Sequence, residues 1–379
     1  MDKRIKQIRS FLHKNELAAA ILRLPENVVL LSSYWPRNSF SFVFIPADGE
    51  AWLIVPEGDQ QDPYNGTIKN IRTFGWVKIS HGNPLENVAG ICSELKLKYS
   101  IPDRAAIGID SNTDSISPCL CFGEMLPMGR SSMDMISNVF QTEKLVEIMP
   151  ALMKMREVKT TEEIEKINLV NKLGYEGTKR FVEITQKPGL REIDIASEVE
   201  AEIMKKSPGF NGELRFGRAI TQVTSGTGNT GSAWFAGMVT SARKIEKGDF
   251  VMLEMAVAAD GYWCDLTKTV VVGNPNDTQK KMLNIIEKAQ AEACKIIKPG
   301  VTAGEVDRAA RNVIVTAGMG EAFCHILGHG VGFSYHDGNP FLRPESDTVL
   351  EAGMIFSCEP GVYIDGLGGV RQEYNVLVT

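Results

Sequence analysis

The stretch FVMLEMAVAADGYWCDLTKTVVV, Phe250 to Val272, decides how the chain is read. Two runs rich in Val, Leu, Met and Thr flank Asp260-Gly261, a dipeptide favoured at the centre of a two-residue hairpin because both positions take positive φ. With that turn, Glu254 faces Thr267 across the strands. Asp265 then lies one diagonal step away on the same face, with backbones roughly 7 to 8 Å apart. Two carboxylates therefore converge on one face, with Glu254 standing in the chain among the apolar residues Leu253, Met255 and Val257. A buried carboxylate without a partner costs several kcal/mol, so this face demands a cation.

The final segment, MIFSCEPGVYIDGLGGVRQEYNVLVT, repeats the arrangement. Glu359 and Glu373 are symmetric about Gly366, and a loop over Asp365-Gly366-Leu367 sets them opposite each other. Opposed like charges destabilise a sheet unless something positive sits between them, here metal ions or Arg371. Three of the chain's five histidines lie in HILGHGVGFSYH, as His325, His329 and His336. Four carboxylates balance two divalent cations, and a neutral imidazole adds a nitrogen ligand without charge. Oxygen-rich ligation with one imidazole suits Mn, Fe, Co or Zn, and a pair of such ions can hold a bridging hydroxide as nucleophile. The His325/His329 spacing is not that of a zincin helix, because Ile326 stands where that motif has Glu and Gly328 and Gly330 oppose a helix.

Working outward, the second half carries a weak duplication. Lys187-Pro188-Gly189 recurs as Lys298-Pro299-Gly300, each between two polar helical stretches and ahead of a β-rich segment. Such a repeat predicts a pseudo-twofold α+β domain with a curved antiparallel sheet. That domain is expected over residues 156–379, opening with a long helix behind a Thr-x-x-Glu cap in TTEEIEKINLV. Residues 1–155 read as a smaller α/β domain: a helix from Arg4 to Asn15, a strand in AAAIL, and strands FSFVFIP and AWLIVPE around Ala47-Asp48-Gly49. A length of 379 residues accommodates two such domains.

Composition narrows the function. With 41 basic and 47 acidic residues, net charge −6, and no long Lys/Arg run, nucleic acid is a poor partner. MDKRIKQIRSFL lacks a signal-peptide core and no stretch approaches a membrane span, so a cytoplasmic protein is expected. The seven cysteines offer no CxxC pair and read as buried reduced thiols.

These residues in this order resemble the pita-bread metallopeptidases, a family that includes Xaa-Pro aminopeptidases, prolidases, methionine aminopeptidases and creatinase-like enzymes. LEMAVAADGYWCDLTKT, HILGHGVGFSYH, CEPGVY and GGVRQE correspond to its four ordered motifs, over residues 156–379. The separate N-terminal domain resembles the creatinase and prolidase branch. The resemblance implies Glu254, Asp265, His329, Glu359 and Glu373 as ligands of two divalent metal ions. It implies Glu359 as proton shuttle, His336 and His325 as groups that orient substrate and stabilise the oxyanion, and Arg371 as support. It also implies a homodimer and hydrolysis of an amide bond in a short proline-containing peptide.

Three positions depart from the family pattern. Glu254 stands where the family has Asp, Lys268 where it has Arg, and Trp234 near the place of a functional His. Trp234 is either a wall of the core or, with Tyr335, a substrate contact holding an apolar or cationic group. These departures keep open a second enzyme reading, creatinase-like or sulfonium-lyase-like action on a small molecule. A third reading, a metal-free peptide- or protein-binding module, requires that the ligands be idle.

Overall fold

The computed structural model describes residues 3–36, 40–61, 66–111, 128–234 and 239–379. They form two compact units, one ending at Arg156 and the other beginning at Glu157. Among the described residues no helix is long and apolar enough to cross a membrane.

In the first unit, α1 (Lys3–Lys14) buries Ile5, Ile8 and Leu12 at helical spacing. It is followed by β1 (Ala19–Leu22), α2 (Pro25–Ser32), β2 (Phe42–Pro46), β3 (Trp52–Pro56), β4 (Asn70–Phe74) and α3 (Pro84–Lys98). The unit ends with β5 (Ile107–Ile109), α4 (Arg130–Phe140), β6 (Leu145–Glu147) and α5 (Met149–Glu157). The expected hairpin forms, with Phe44 opposite Trp52 and Gly49 at φ 118° in the turn. The sheet order is β4-β3-β2-β1-β5-β6, mixed rather than a simple meander. Strand β1 pairs antiparallel with β2 and parallel with β5. Ile91 and Leu95 of α3 and Ile136 and Phe140 of α4 pack with Ile21, Phe42 and Phe44 of the strands.

The second unit opens with α6 (Thr161–Ile184), whose N-cap Thr160 and Glu163 form the reciprocal capping box that the sequence signals. Then come α7 (Glu192–Lys206), β7 (Gly217–Ser225), the short α8 (Thr227–Gly231), β8 (Phe250–Ala259) and β9 (Tyr262–Val271). The second half has α9 (Asp277–Ile296), α10 (Ala303–Thr316), β10 (Ile355–Cys358), β11 (Gly361–Ile364), β12 (Gly368–Arg371) and β13 (Tyr374–Leu377). Asp260 and Gly261 both take positive φ, 47° and 90°, and the register pairs Glu254 with Thr267 as the turn requires. Helix α6 approaches this sheet so closely that a Cβ on Gly174 would meet Leu266 Cδ1 at 2.7 Å.

The duplication is visible in matched hydrogen bonds. Gly189 N donates to Ile245 O and Gly300 N to Leu350 O, at 2.8 and 2.9 Å. Gly248 N donates to Val272 O and Gly353 N to Val378 O, both at 2.9 Å. Helices α9 and α10 and strands β10 to β13 share one core around Met282, Ile286, Ile314, Phe356 and Val370. All strand pairs of this unit are antiparallel, in a three-stranded sheet β7-β8-β9 and two short ladders, β10-β13 and β11-β12.

Five of the seven cysteines lie among the described residues and are free thiols. Cys92, Cys264 and Cys358 are buried as expected, but Cys294 and Cys324 are exposed. Cys294 stands on α9 beside the buried stripe of Met282, Ile286, Ala289 and Ala293 rather than in it.

Candidate metal centre

Both ladders of the last segment share one register, with Cys358 opposite Tyr374 and Gly361 opposite Arg371, so Glu359 and Glu373 fall opposite each other between them. The Gly-rich stretch reaches β10 because it has no side chains to obstruct it. Gly330 bridges Phe356, and a Cβ on Gly328 would stand 1.8 Å from Ser357 O. Ser357 N donates to His329 O at 2.8 Å, which fixes the histidine beside the two acids. Ligand atoms then gather in three overlapping groups, each within 4.8 Å: Glu254, Asp265 and Glu373; His329, Glu359 and Glu373; and Asp265, His329 and His336.

Glu254 is satisfied by protein groups. Tyr335 OH donates to its Oε1 at 2.6 Å, and Thr267 Oγ1 lies 2.5 Å from its Oε2, which also accepts from Arg371 Nη2. Burial alone raises the pKa of this carboxyl, but the Arg371 guanidinium and the two hydroxyls outweigh it and hold the group down at about 2. Arg371 is itself fixed by bonds to Ala233 O at 3.0 Å, Tyr363 OH at 2.9 Å and Thr267 Oγ1 at 3.0 Å.

Two of the other acids are not satisfied. Asp265 Oδ1 and Glu373 Oε1 are buried with no hydrogen-bond partner. Burial first, and the neighbouring acids next, push both groups well above the ordinary carboxylate range. Thr267 Oγ1 lies 2.7 Å from Glu373 Oε2 as well as beside Glu254, yet a hydroxyl has one proton to give. His329 donates from Nδ1 to Gly330 O at 3.0 Å, which turns the Nε2 lone pair toward Asp265 Oδ2 at 3.5 Å and Glu359 Oε1 at 3.4 Å. Burial lowers this imidazole to about 3, so it is neutral and acceptors face acceptors. A proton or a metal cation among them resolves that arrangement, and the oxygen-rich donor set with one imidazole fits a divalent metal.

Glu359 accepts from Ser357 Oγ at 3.0 Å, and its side chain is 15% exposed, against 2% for Asp265. Burial raises it to about 7, with Arg371 opposing. His325 donates to Ile326 O at 2.7 Å and accepts from Tyr363 OH at 3.0 Å; burial, then Arg371, lowers it to about 4. The His336 ring tilts over His329 at 4.4 Å.

Trp234 follows α8 and is 54% exposed, so it is not a core wall. It borders a recess of about 440 Å³ with Ser232, Glu321, Cys324, Tyr363 and Asp365. Tyr335 is buried with its hydroxyl on Glu254 rather than on this recess. Lys268 lies outside the ligand cluster, half-buried and bridged to Gln372. Sequence reading passed over Thr267, Tyr363 and Asn375. Thr267 was legible as the residue opposite Glu254. Asn375 was not: its side chain pairs with both backbone groups of Asp265, at 3.0 and 2.9 Å, across the seam between β9 and β13.

A pseudo-twofold α+β unit holding buried acids around one neutral imidazole, alongside a separate α/β unit, defines a two-domain metallohydrolase of the pita-bread class. The chain belongs to metallopeptidase family M24, whose model matches residues 165–379, and the creatinase/prolidase N-terminal domain matches residues 4–158. It is 31% identical to the Xaa-Pro dipeptidase of Pyrococcus furiosus, over 100% of this chain and 96% of that one. Among solved structures it resembles the prolidase from Pyrococcus horikoshii OT3, with TM-score 0.78 and 27% identity, covering 100% and 96% of the two chains. It also resembles the Xaa-Pro dipeptidase from Bacillus anthracis, with TM-score 0.79 and 26% identity, covering 100% and 94%.

Proposed function

We propose that the protein hydrolyses the amide bond of short Xaa-Pro peptides, with divalent metal held by Glu254, Asp265, His329, Glu359 and Glu373. The carrying observation is the pair of orphaned buried oxygens, Asp265 Oδ1 and Glu373 Oε1, facing a neutral His329. A metal-free module has no use for such a set. Two ions of the Mn, Co, Zn or Fe type would supply Lewis acidity and an activated water.

The chain's own residues do the rest. Glu359 is the site carboxylate with the most open side chain, so it is placed to take a proton at Oε1 or Oε2 and pass it to the leaving amine. His336 lies beside the cluster and His325 is linked to it through Tyr363 and Arg371; the two would orient the scissile carbonyl. Arg371 holds Glu254 and Tyr363 in place, and Tyr335 fixes the remaining oxygen of Glu254. Trp234 offers an aromatic face to the substrate. A homodimer in the cytoplasm, with manganese among the candidate metals, completes the reading.

A second reading, action on a small cationic molecule, has one observation in its favour. The recess beside Trp234 presents Glu321 and Asp365, and aromatic faces with nearby acids attract cations. One experiment separates the two: a panel of Xaa-Pro di- and tripeptides offered to the Mn- or Co-loaded enzyme, with Glu359→Gln as control. Cleavage abolished in the control supports the peptidase. No cleavage with metal demonstrably bound refutes it and leaves the small-molecule reading.

A further inference from the structure

The strands that carry Glu359 and Glu373 are not held at those residues by their own ladders. The β10-β13 pairing ends at Cys358 opposite Tyr374, and the β11-β12 pairing begins at Gly361 opposite Arg371. Between them Glu359-Pro360 runs past Gln372-Glu373 with one long bond across, Gln372 N to Pro360 O at 3.4 Å. Pro360 has no N–H to offer, and Glu359 N and Glu373 N donate away from each other, to Leu327 O and Thr267 O. Two carboxylates that must point at one place thus sit on the segment where regular pairing lapses.

Helix α9 lies behind this gap. Its inner face is apolar at Met282, Ile286, Ala289 and Ala293, all packed in the core with Phe356 and Cys358. Gln290 interrupts that face. It is buried, and its Nε2 donates to Cys358 O at 3.0 Å and to Gln372 O at 3.3 Å. Those carbonyls belong to the residues immediately before Glu359 and Glu373. A primary amide has two N–H donors in a fixed plane, so one side chain serves both strands at a set separation. A hydrophobic residue would fill the same volume without the cost of burying an amide.

We infer that Gln290 is a positioning residue for the metal centre: its amide clamps the two backbone carbonyls that precede Glu359 and Glu373 and so sets the spacing of the two carboxylates. The inference rests on the reading of those acids as metal ligands. Gln290 touches neither metal nor substrate, and its effect runs through the strands.

The test uses the full chain, stripped and titrated with Mn(II) or Co(II). Gln290→Met keeps the volume and removes the donors; it is expected to weaken metal binding roughly 10- to 100-fold, the usual cost of losing a group that orients a ligand. It should also shift the visible absorption bands of the Co(II) form. Gln290→Asn, which keeps the amide one methylene short, should do the same and serves if the methionine variant does not fold. Gln279→Met is the control for a merely structural role, because Gln279 is buried on the same helix and donates to Gly248 O at 2.7 Å, away from the ligands. It should lower Tm and leave metal affinity and Co(II) spectrum unchanged. Wild-type affinity and spectrum in the Gln290 variants, or equal losses in the Gln279 control, overturn the inference alone. Wild-type protein that binds no metal overturns the metal reading and the inference with it.

Discussion

Removing the Arg371 guanidinium tests how the centre is built. Its Nη2 meets Glu254, Nη1 binds Ala233 O and Tyr363 OH, and Nε binds Thr267, all in a buried setting. Arg371→Met keeps much of the stem and strands the Glu254 carboxylate. Breaking one half of a buried ion pair costs about 3 to 5 kcal/mol. Against the effect of burial, Arg371 and the two hydroxyls together hold the pKa of Glu254 at about 2 rather than 4.5, a displacement of the same order, a few kcal/mol. Because the folded pKa is depressed, that stability is present above pH 4.5 and is lost as pH falls through about 2. At pH 7 without metal, calorimetry should therefore show Tm lowered by roughly 6 to 20 °C for a unit of this size. In a Glu254→Gln background the same substitution should cost about 2 kcal/mol less, since no charge is stranded. A loss below about 1 kcal/mol, or equal losses in both backgrounds, would refute the account of Arg371 as the counter-ion of Glu254.

Two further outcomes follow from the geometry. In metal-free protein, Glu359 is raised to about 7, and Asp265 and Glu373 are raised further above their ordinary range, so the folded state holds protons that the unfolded chain releases. Stability should rise as pH falls from 8 toward 5.5 in EDTA, by about 2 kcal/mol from Glu359 alone, and fall over the same range when metal is bound and protons compete with it. Melting curves at stepped pH decide this, and a flat metal-free profile counts against it. Gly328→Ala places a Cβ 1.8 Å from Ser357 O, whereas Gly228→Ala meets nothing within 4 Å. The first should cost more than about 3 kcal/mol by denaturant titration and the second less than about 1, so similar midpoints for the two would show that the strand yields.

What the sequence disclosed was whatever a local period or turn could specify. Asp260-Gly261 fixed the register that brings Glu254 and Asp265 to one face, and symmetry about Gly366 set Glu359 against Glu373. Thr160 and Glu163 announced α6, and the repeated Lys-Pro-Gly foretold the matched bonds of Gly189 and Gly300. The supports were hidden for a common reason. Arg371 reaches Ala233 and Glu254, Asn375 reaches Asp265, and Gln290 reaches Cys358 and Gln372, each across many residues with no local pattern to mark the partner. Tyr335 lies in an irregular loop, where no period says which way a ring turns, so its position against Glu254 was not foreseeable either. The central place of β1 depended on pairing with β5, a similarly distant partner.

One quantity crossed from sequence to structure intact, and it was a deficit. Four acids were placed in an apolar unit with Arg371 as the nearby cation, and the folded centre pairs that arginine with Glu254 in bonded contact, leaving it 4.0 Å from Glu359. Asp265 and Glu373 keep orphaned oxygens, and all three remaining acids have displaced pKa values. Glu254 and the other acids therefore stand on different footings: one is stabilised by the protein, the others by whatever cation enters. Metal binding should then be coupled to the stability of the second unit, because the same desolvation that raises Asp265 and Glu373 is relieved when a divalent ion binds the folded state and has no comparable site in the unfolded chain.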